Sequence, residues 1–183
     1  MILTPHILVG ATIGIKTKKS LLIIILGLLS HFILDIIPHW DYSLSNIRHF
    51  STTKDYNLLF IDISKILIDV IIGLLIVIFI LRKKIMLNKN YIPYVVLGIF
   101  VSVLPDILWV LAGFVENELL DKFVTFHHHL HYKPQKEGMV TFLGLITQIV
   151  TILIAILFLN HIPQKFGKNS GQGNSQNHSE NSA

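Results

Sequence analysis

The chain has no cysteine, so disulfides, thiolate metal sites and cysteine nucleophiles are all excluded. Charge is scarce too: Asp, Glu, Lys and Arg make up 14% of the residues, against 52% apolar ones. With a mean hydropathy of +0.63, those proportions exclude an ordinary soluble domain, in which about a quarter of the residues are charged. No basic residue precedes the first apolar stretch, so a cleaved signal peptide is not expected. The pI near 9.3 does not point to nucleic acid, because the positive charge has a better use in setting membrane topology.

What the sequence does contain is long apolar runs. A hydrocarbon core of about 30 Å takes roughly 20 helical residues to cross, and 58–81, 91–113 and 139–160 reach that length. The run 21–37 is near the lower limit, and 1–15 is shorter still. The expected fold is all-α, an integral membrane helical bundle of four transmembrane helices plus a short N-terminal membrane helix, over residues 1–160. Residues 161–183 change to Asn, Ser, Gly, Gln and Lys, a polar tail expected to be disordered because it cannot bury enough apolar surface. The connection 42–57 is polar, with no periodicity that fixes a structure.

Lys16, Lys18, Lys19, Arg82, Lys83, Lys84, Lys89, Lys165 and Lys168 fall in connections on one side, and Arg48, Lys54, Lys122, Lys133 and Lys136 on the other. The richer side is read as cytoplasmic. This predicts a multi-pass protein of the cell membrane with its N-terminus outside and its C-terminus in the cytoplasm. His6, His31, Asp35, His39, Asp41, Asp62, Asp106 and the run His127, His128, His129, Leu130, His131 then all gather at the outer face.

The densest stretch is Ser30 to Asp41. His31 and Asp35 are four apart, one helical turn on the same face, close enough to hold one cation. Pro38 disfavours helix at Ile37, so the helix ends there with His39 and Asp41 at its mouth. Imidazole and carboxylate together suit zinc or a similar divalent ion. His6, Gly10 and Gly14 repeat the four-residue spacing, as do Gly27, His31 and Asp35, and Gly98, Ser102 and Asp106, each a small-residue face beneath a polar group. His6 alone also reads as an interfacial histidine. Pro105 is expected to kink or loosen its helix at Asp106. His127 and His131 share a face if they lie on a short helix, and in isolation that cluster reads as adventitious metal binding. Asp62, Lys65 and Asp69 lie on one stripe, either an intrahelical ion cluster or a source of one functional aspartate.

Thr4-Pro5-His6, Ser30-His31-x3-Asp35, Leu104-Pro105-Asp106 and Phe126-His127 together resemble the bacterial membrane-bound metal-dependent hydrolases, a family that looks remotely similar to zinc-dependent phospholipase C and the single-strand-specific zinc nucleases. The resemblance covers roughly residues 1–132. It implies metal held by His31 and Asp35 inside a helical bundle, with Asp106, His127 and His131 as further ligands. Two departures stand out: Pro105-Asp106 is followed by Ile107-Leu108 where the family has Pro-Asp-x-Asp, and the late histidines have no arginine between them.

The residues and the resemblance together lead to the expectation of a metal-dependent hydrolase. Its metal ligands are His6, His31, Asp35, His39, Asp106, His127 and His131, and the cation is zinc. Asp41 or Asp69 orients or deprotonates the attacking water. The expected partners are membrane lipid and a lipid or other phosphoester substrate, with no nucleic acid. The alternative is a non-enzymatic metal-binding or ion-transport protein, with Asp62, Asp69 and Asp106 forming a pathway. Against it, the inner halves of the helices carry no ionisable residues, and no inverted repeat is evident.

Overall fold

A computed structural model describes residues 2–131 and 137–161, and every regular element among them is helical. The order is α1 (Leu3–Thr17), α2 (Ser20–Ile36), α3 (Ser45–Thr53), α4 (Tyr56–Leu87), a single 3-10 turn (Lys89–Tyr91), α5 (Ile92–Leu111), α6 (Glu118–Leu130) and α7 (Glu137–Asn160). Three helical stretches among the described residues are long and apolar enough to cross a membrane: α4, the 3-10 turn with α5, and α7. At 17 and 15 residues, α2 and α1 are shorter. The expected polar tail lies outside the described residues from 162 onward, as do Lys133 and Lys136.

The chain is built around α1, which is buried along most of its length and packs against α2, α4, α5 and α7. The glycine spacing explains how so short a helix is enclosed. A Cβ added to Gly10 or Gly98 would fall on the other residue's backbone carbonyl, and one added to Gly14 would meet the carbonyl of Tyr94. Lipid tails are as apolar as leucine, so association in a bilayer depends on close backbone approach, which these glycines allow.

The contacts also fix the helix directions. Gly10 on Gly98 and Gly14 on Tyr94 make α1 and α5 antiparallel, whereas Thr4 beside Asp69 and Ile7 beside Gly73 make α1 and α4 parallel. Gly27 on Val101 sets α2 parallel to α5. The start of α1 and the ends of α2 and α5 therefore share one end of the bundle. Lys18 and Lys84 mark the other. There Lys18 Nζ lies 3.1 Å from the Tyr91 hydroxyl, and Lys84 Nζ donates to the carbonyls of Leu159 and Asn160, acceptors left over where α7 ends.

Both inward aspartates of α4 are engaged by helix starts. Asp69 accepts from the Leu3 and Thr4 amides, from Thr4 Oγ1 at 2.6 Å and from the Tyr42 hydroxyl at 3.2 Å, so it caps α1 from a different helix. Asp62 accepts from the Asn46 amide at 3.0 Å and the Ile47 amide at 3.3 Å, capping α3, and Lys65 Nζ sits 2.9 Å from its other oxygen. The intrahelical cluster expected on this stripe thus reduces to Asp62 with Lys65. α3 forms within the connection 42–57, where no periodicity of the sequence fixes a structure. Its helical signal is not in its own periodicity but in a carboxylate 15 and 16 residues further along the chain.

Candidate metal centre

Pro38 acts as the sequence implies: α2 stops at Ile36 and Ile37 is extended, with φ −69° and ψ 139°. The last turn of α2 thereby delivers His31 and Asp35, both wholly buried, to the space between α1, α5 and α6. His31 Nε2 is 3.0 Å from Asp35 Oδ2. His127, near the end of α6, brings its Nε2 to 3.0 Å from the same oxygen and 3.2 Å from His31 Nε2. His6, from the first turns of α1, stacks on the His31 ring with centroids 4.4 Å apart and places Nε2 3.3 Å from Asp35 Oδ1. Asp106 completes the set: one ligand atom from each of His31, Asp35, Asp106 and His127 lies within 4.8 Å of all the others.

The hydrogen-bond bookkeeping of this cluster is out of balance in a way a cation corrects. His31 Nδ1 sits 2.8 Å from the Ser102 carbonyl, which can only accept, so Nδ1 carries the proton. In a neutral ring that leaves a bare lone pair on Nε2, facing a carboxylate oxygen and a second imidazole nitrogen. Either an imidazolium or a cation resolves that meeting of acceptors. Nearby, neither ring nitrogen of His6 makes an aligned hydrogen bond, the Nε2 contact with Asp35 included, and the Ser102 hydroxyl and Asp106 Oδ2 are buried with no hydrogen-bond partner. Buried polar groups are nearly always satisfied, and each exception costs about 1–3 kcal/mol.

The spacing fits a small divalent ion. Ligands about 2.0–2.1 Å from a tetrahedral centre stand about 3.3–3.4 Å apart. The three edges of the triangle formed by His31 Nε2, His127 Nε2 and Asp35 Oδ2 measure 3.0, 3.0 and 3.2 Å. The Ser102 carbonyl is the kind of outer partner that fixes a metal-binding histidine in one tautomer. Pro105 offers no N–H to the Val101 carbonyl, in the turn of α5 that carries Ser102.

A second constellation lies at the mouth. His39 Nδ1 faces the Ile37 carbonyl at 2.7 Å, which fixes its tautomer in the same way. His39 Nε2 and His131 Nε2 lie 3.2 and 3.4 Å from Asp41 Oδ2. One ligand atom from each of Asp35, His39 and His131 again lies within 4.8 Å of the others. Burial pushes the Asp41 carboxyl up, but the His39 contact and the surrounding positive charge together outweigh it and hold the group below the usual carboxylate range. Burial lowers the His131 imidazole to about 4, leaving it neutral with a lone pair to offer at pH 7.

α7 holds this mouth in place. Thr147 Oγ1 donates to the Pro38 carbonyl, Gln148 Nε2 donates to the Trp40 carbonyl, and Gly144 lies against the His39 backbone. Gly144 and Gln148, one turn apart on α7, thereby position the loop that carries His39 and Asp41.

The seven candidate ligands thus fall into two groups around Asp35. His127 and His131 lie side by side as their spacing implies, with ring centroids 5.7 Å apart, but His127 reaches the inner group while His131 follows the last helical residue and joins the mouth. Asp69 is bound to the start of α1 and Tyr42, so its lone pairs are committed there rather than to an attacking water. His128 and His129 are exposed. Sequence reasoning missed the Ser102 and Ile37 carbonyls. A backbone acceptor has no signature of its own, although Ser102 does lie on the Gly98–Asp106 stripe. Comparison with protein-family models, curated proteins and solved structures found no match.

Proposed function

We propose that this chain is a metal-dependent membrane hydrolase that cleaves phosphoesters, lipid or lipid-linked, at the outer membrane-water interface. The observation that carries the reading is the convergence of His31, His127 and Asp35 on one buried point with the His31 tautomer already set. Imidazole and carboxylate with no thiolate fit zinc. When bound, such an ion supplies Lewis acidity toward a phosphoryl oxygen and an acidified water.

The chain's own residues supply the rest. His6, His31, Asp35, Asp106 and His127 hold the cation. Asp41, partly exposed at the mouth and ionised, accepts the proton released as water attacks phosphorus. The fold proposed around this site has four membrane-crossing helices, with α2 as the fourth, plus α1 as a short N-terminal helix. The N-terminus lies outside, and the C-terminus follows the basic end into the cytoplasm. The motif resemblance to the membrane-bound metal-dependent hydrolases supports the same reaction class. A lipid is favoured as substrate by position, since the mouth lies at the end of the bundle opposite Lys18 and Lys84, where a membrane surface would meet it.

The test is hydrolysis of a phosphodiester chromogen and of phosphatidylcholine vesicles by the purified zinc-loaded chain. Cleavage that disappears with chelator and in Asp35→Asn supports the proposal. Bound zinc with no cleavage of either substrate overturns it. Zinc uptake into reconstituted vesicles would then establish the transport alternative.

A further inference from the structure

The position of Asp35 suggests more than one cation. It is the only residue common to both constellations among the described residues: His31, Asp106 and His127 meet it from within the bundle, and His39 and His131 from the mouth. The two groups also use the same construction. In each, a histidine has its Nδ1 fixed by a backbone carbonyl, from Ser102 for His31 and from Ile37 for His39, while its Nε2 faces a carboxylate. A surface ion pair has no need of a carbonyl that orients the ring, but a metal ligand does.

We propose that the mouth is a second divalent-cation site, held by His39, His131 and Asp41 and joined to the inner site by Asp35 as a bridging carboxylate. The two mouth edges that run through Asp41, 3.2 and 3.4 Å, match the ligand spacing of a tetrahedral ion, about 3.3–3.4 Å, as closely as the inner triangle does. A single carboxylate between the groups suits a two-metal centre, where ions stand about 3.5–4 Å apart. Asp35, Asp41 and Asp106 offset most of the charge of two dications. Asp41 would serve both roles under this proposal, its Oδ2, the oxygen nearest His39 and His131, holding the outer cation and its other oxygen left to accept the proton of the attacking water. The pair would then clamp the attacking and leaving oxygens of a phosphoester from two sides, with the exposed outer ion nearer the incoming substrate.

The inference rests on the inner site binding metal, and one experiment separates the two failures. The full chain in detergent micelles is loaded with zinc, desalted and counted by mass spectrometry against amino-acid content. Wild type should hold about two zinc ions per chain, His39→Ala with His131→Ala about one, and His31→Ala with His127→Ala about one. One ion in wild type, lost only with the inner pair, overturns the second site and keeps the first. One ion lost only with the outer pair, or none, overturns both.

Manganese-loaded wild type provides a check that needs no variant to fold. An exchange-coupled electron paramagnetic resonance spectrum supports two bridged ions, and an isolated-ion spectrum overturns them. Two bound ions without hydrolysis would leave this inference standing while removing the proposed reaction.

Discussion

His31 is held at both ends of its ring by acceptors, the Ser102 carbonyl 2.8 Å from Nδ1 and Asp35 Oδ2 3.0 Å from Nε2. A neutral ring can donate only once, and the Ser102 side takes that proton. A cation at Nε2 or a second proton on the ring satisfies both ends, and the variants that follow separate metal binding from simple packing.

Asp35→Asn keeps the volume and removes the charge. Zinc affinity should fall at least 100-fold, because a carboxylate facing His6, His31 and His127 is replaced by a group whose NH2 cannot ligate. Isothermal titration with far-UV circular dichroism as the folding control measures this, and wild-type affinity in the variant would contradict it.

Asp69→Ala should do the reverse. Its carboxylate is buried and accepts from Leu3, Thr4 and Tyr42, so removing it leaves the first turn of α1 uncapped at a cost on the order of 3 kcal/mol. The thermal midpoint should drop while zinc per folded chain stays at the wild-type value. Loss of zinc without loss of stability would show that Asp69 belongs to the metal centre after all.

Pro105→Ala tests whether the missing N–H opposite the Val101 carbonyl matters to its neighbour, the Ser102 carbonyl. Alanine restores that N–H. Helix stability should hold or rise, while zinc affinity falls about 10-fold through the displaced outer partner of His31. Unchanged affinity would mean that the carbonyl reaches His31 without help from the proline.

Gly98→Val and Gly73→Ala should differ sharply. A Cβ at Gly98 meets the Gly10 backbone, which cannot yield without moving α1 and His6 with it, so stability and metal content should fall together. At Gly73 the nearest atom is Ile7 Cδ1 at 2.9 Å, the end of a flexible side chain. Relief there and alanine's helix preference should keep the net effect within about 1 kcal/mol. Thermal melts of both variants, with zinc content, decide it.

Membrane topology can be read directly, because a chain without cysteine is a clean background for single-cysteine labelling. Ser43→Cys, on the exposed connection after α2, should react with an impermeant maleimide in intact cells. Lys83→Cys, exposed near the end of α4, should react only after lysis. The opposite pattern would turn the protein over in the membrane and place the mouth in the cytoplasm.

The parts of this architecture that are local in sequence were legible there. Long apolar runs announce α4, α5 and α7, Pro38 announces the end of α2, and the four-residue spacing of His31 and Asp35 puts both side chains on one face. The relations carried by partners far along the chain were not legible. α3 depends on Asp62 for its first turn, and the start of α1 depends on Asp69, so neither aspartate could be assigned from its own helix. The late histidines share a side, as spacing of four implies, with rings 5.7 Å apart. The spacing does not carry the end of the helix between them, nor that His127 reaches the inner group of candidate ligands while His131 joins the mouth.

The central claim is that His31, His127 and Asp35 hold a zinc ion, and the most direct measurement is zinc-edge X-ray absorption on the purified, desalted chain. The account predicts a shell of nitrogen and oxygen at about 2.0–2.1 Å with the outer-shell scattering of at least two imidazoles, and loss of the imidazole scattering in His31→Ala with His127→Ala. A zinc spectrum of oxygen ligands alone, or one unchanged by that double substitution, would contradict it.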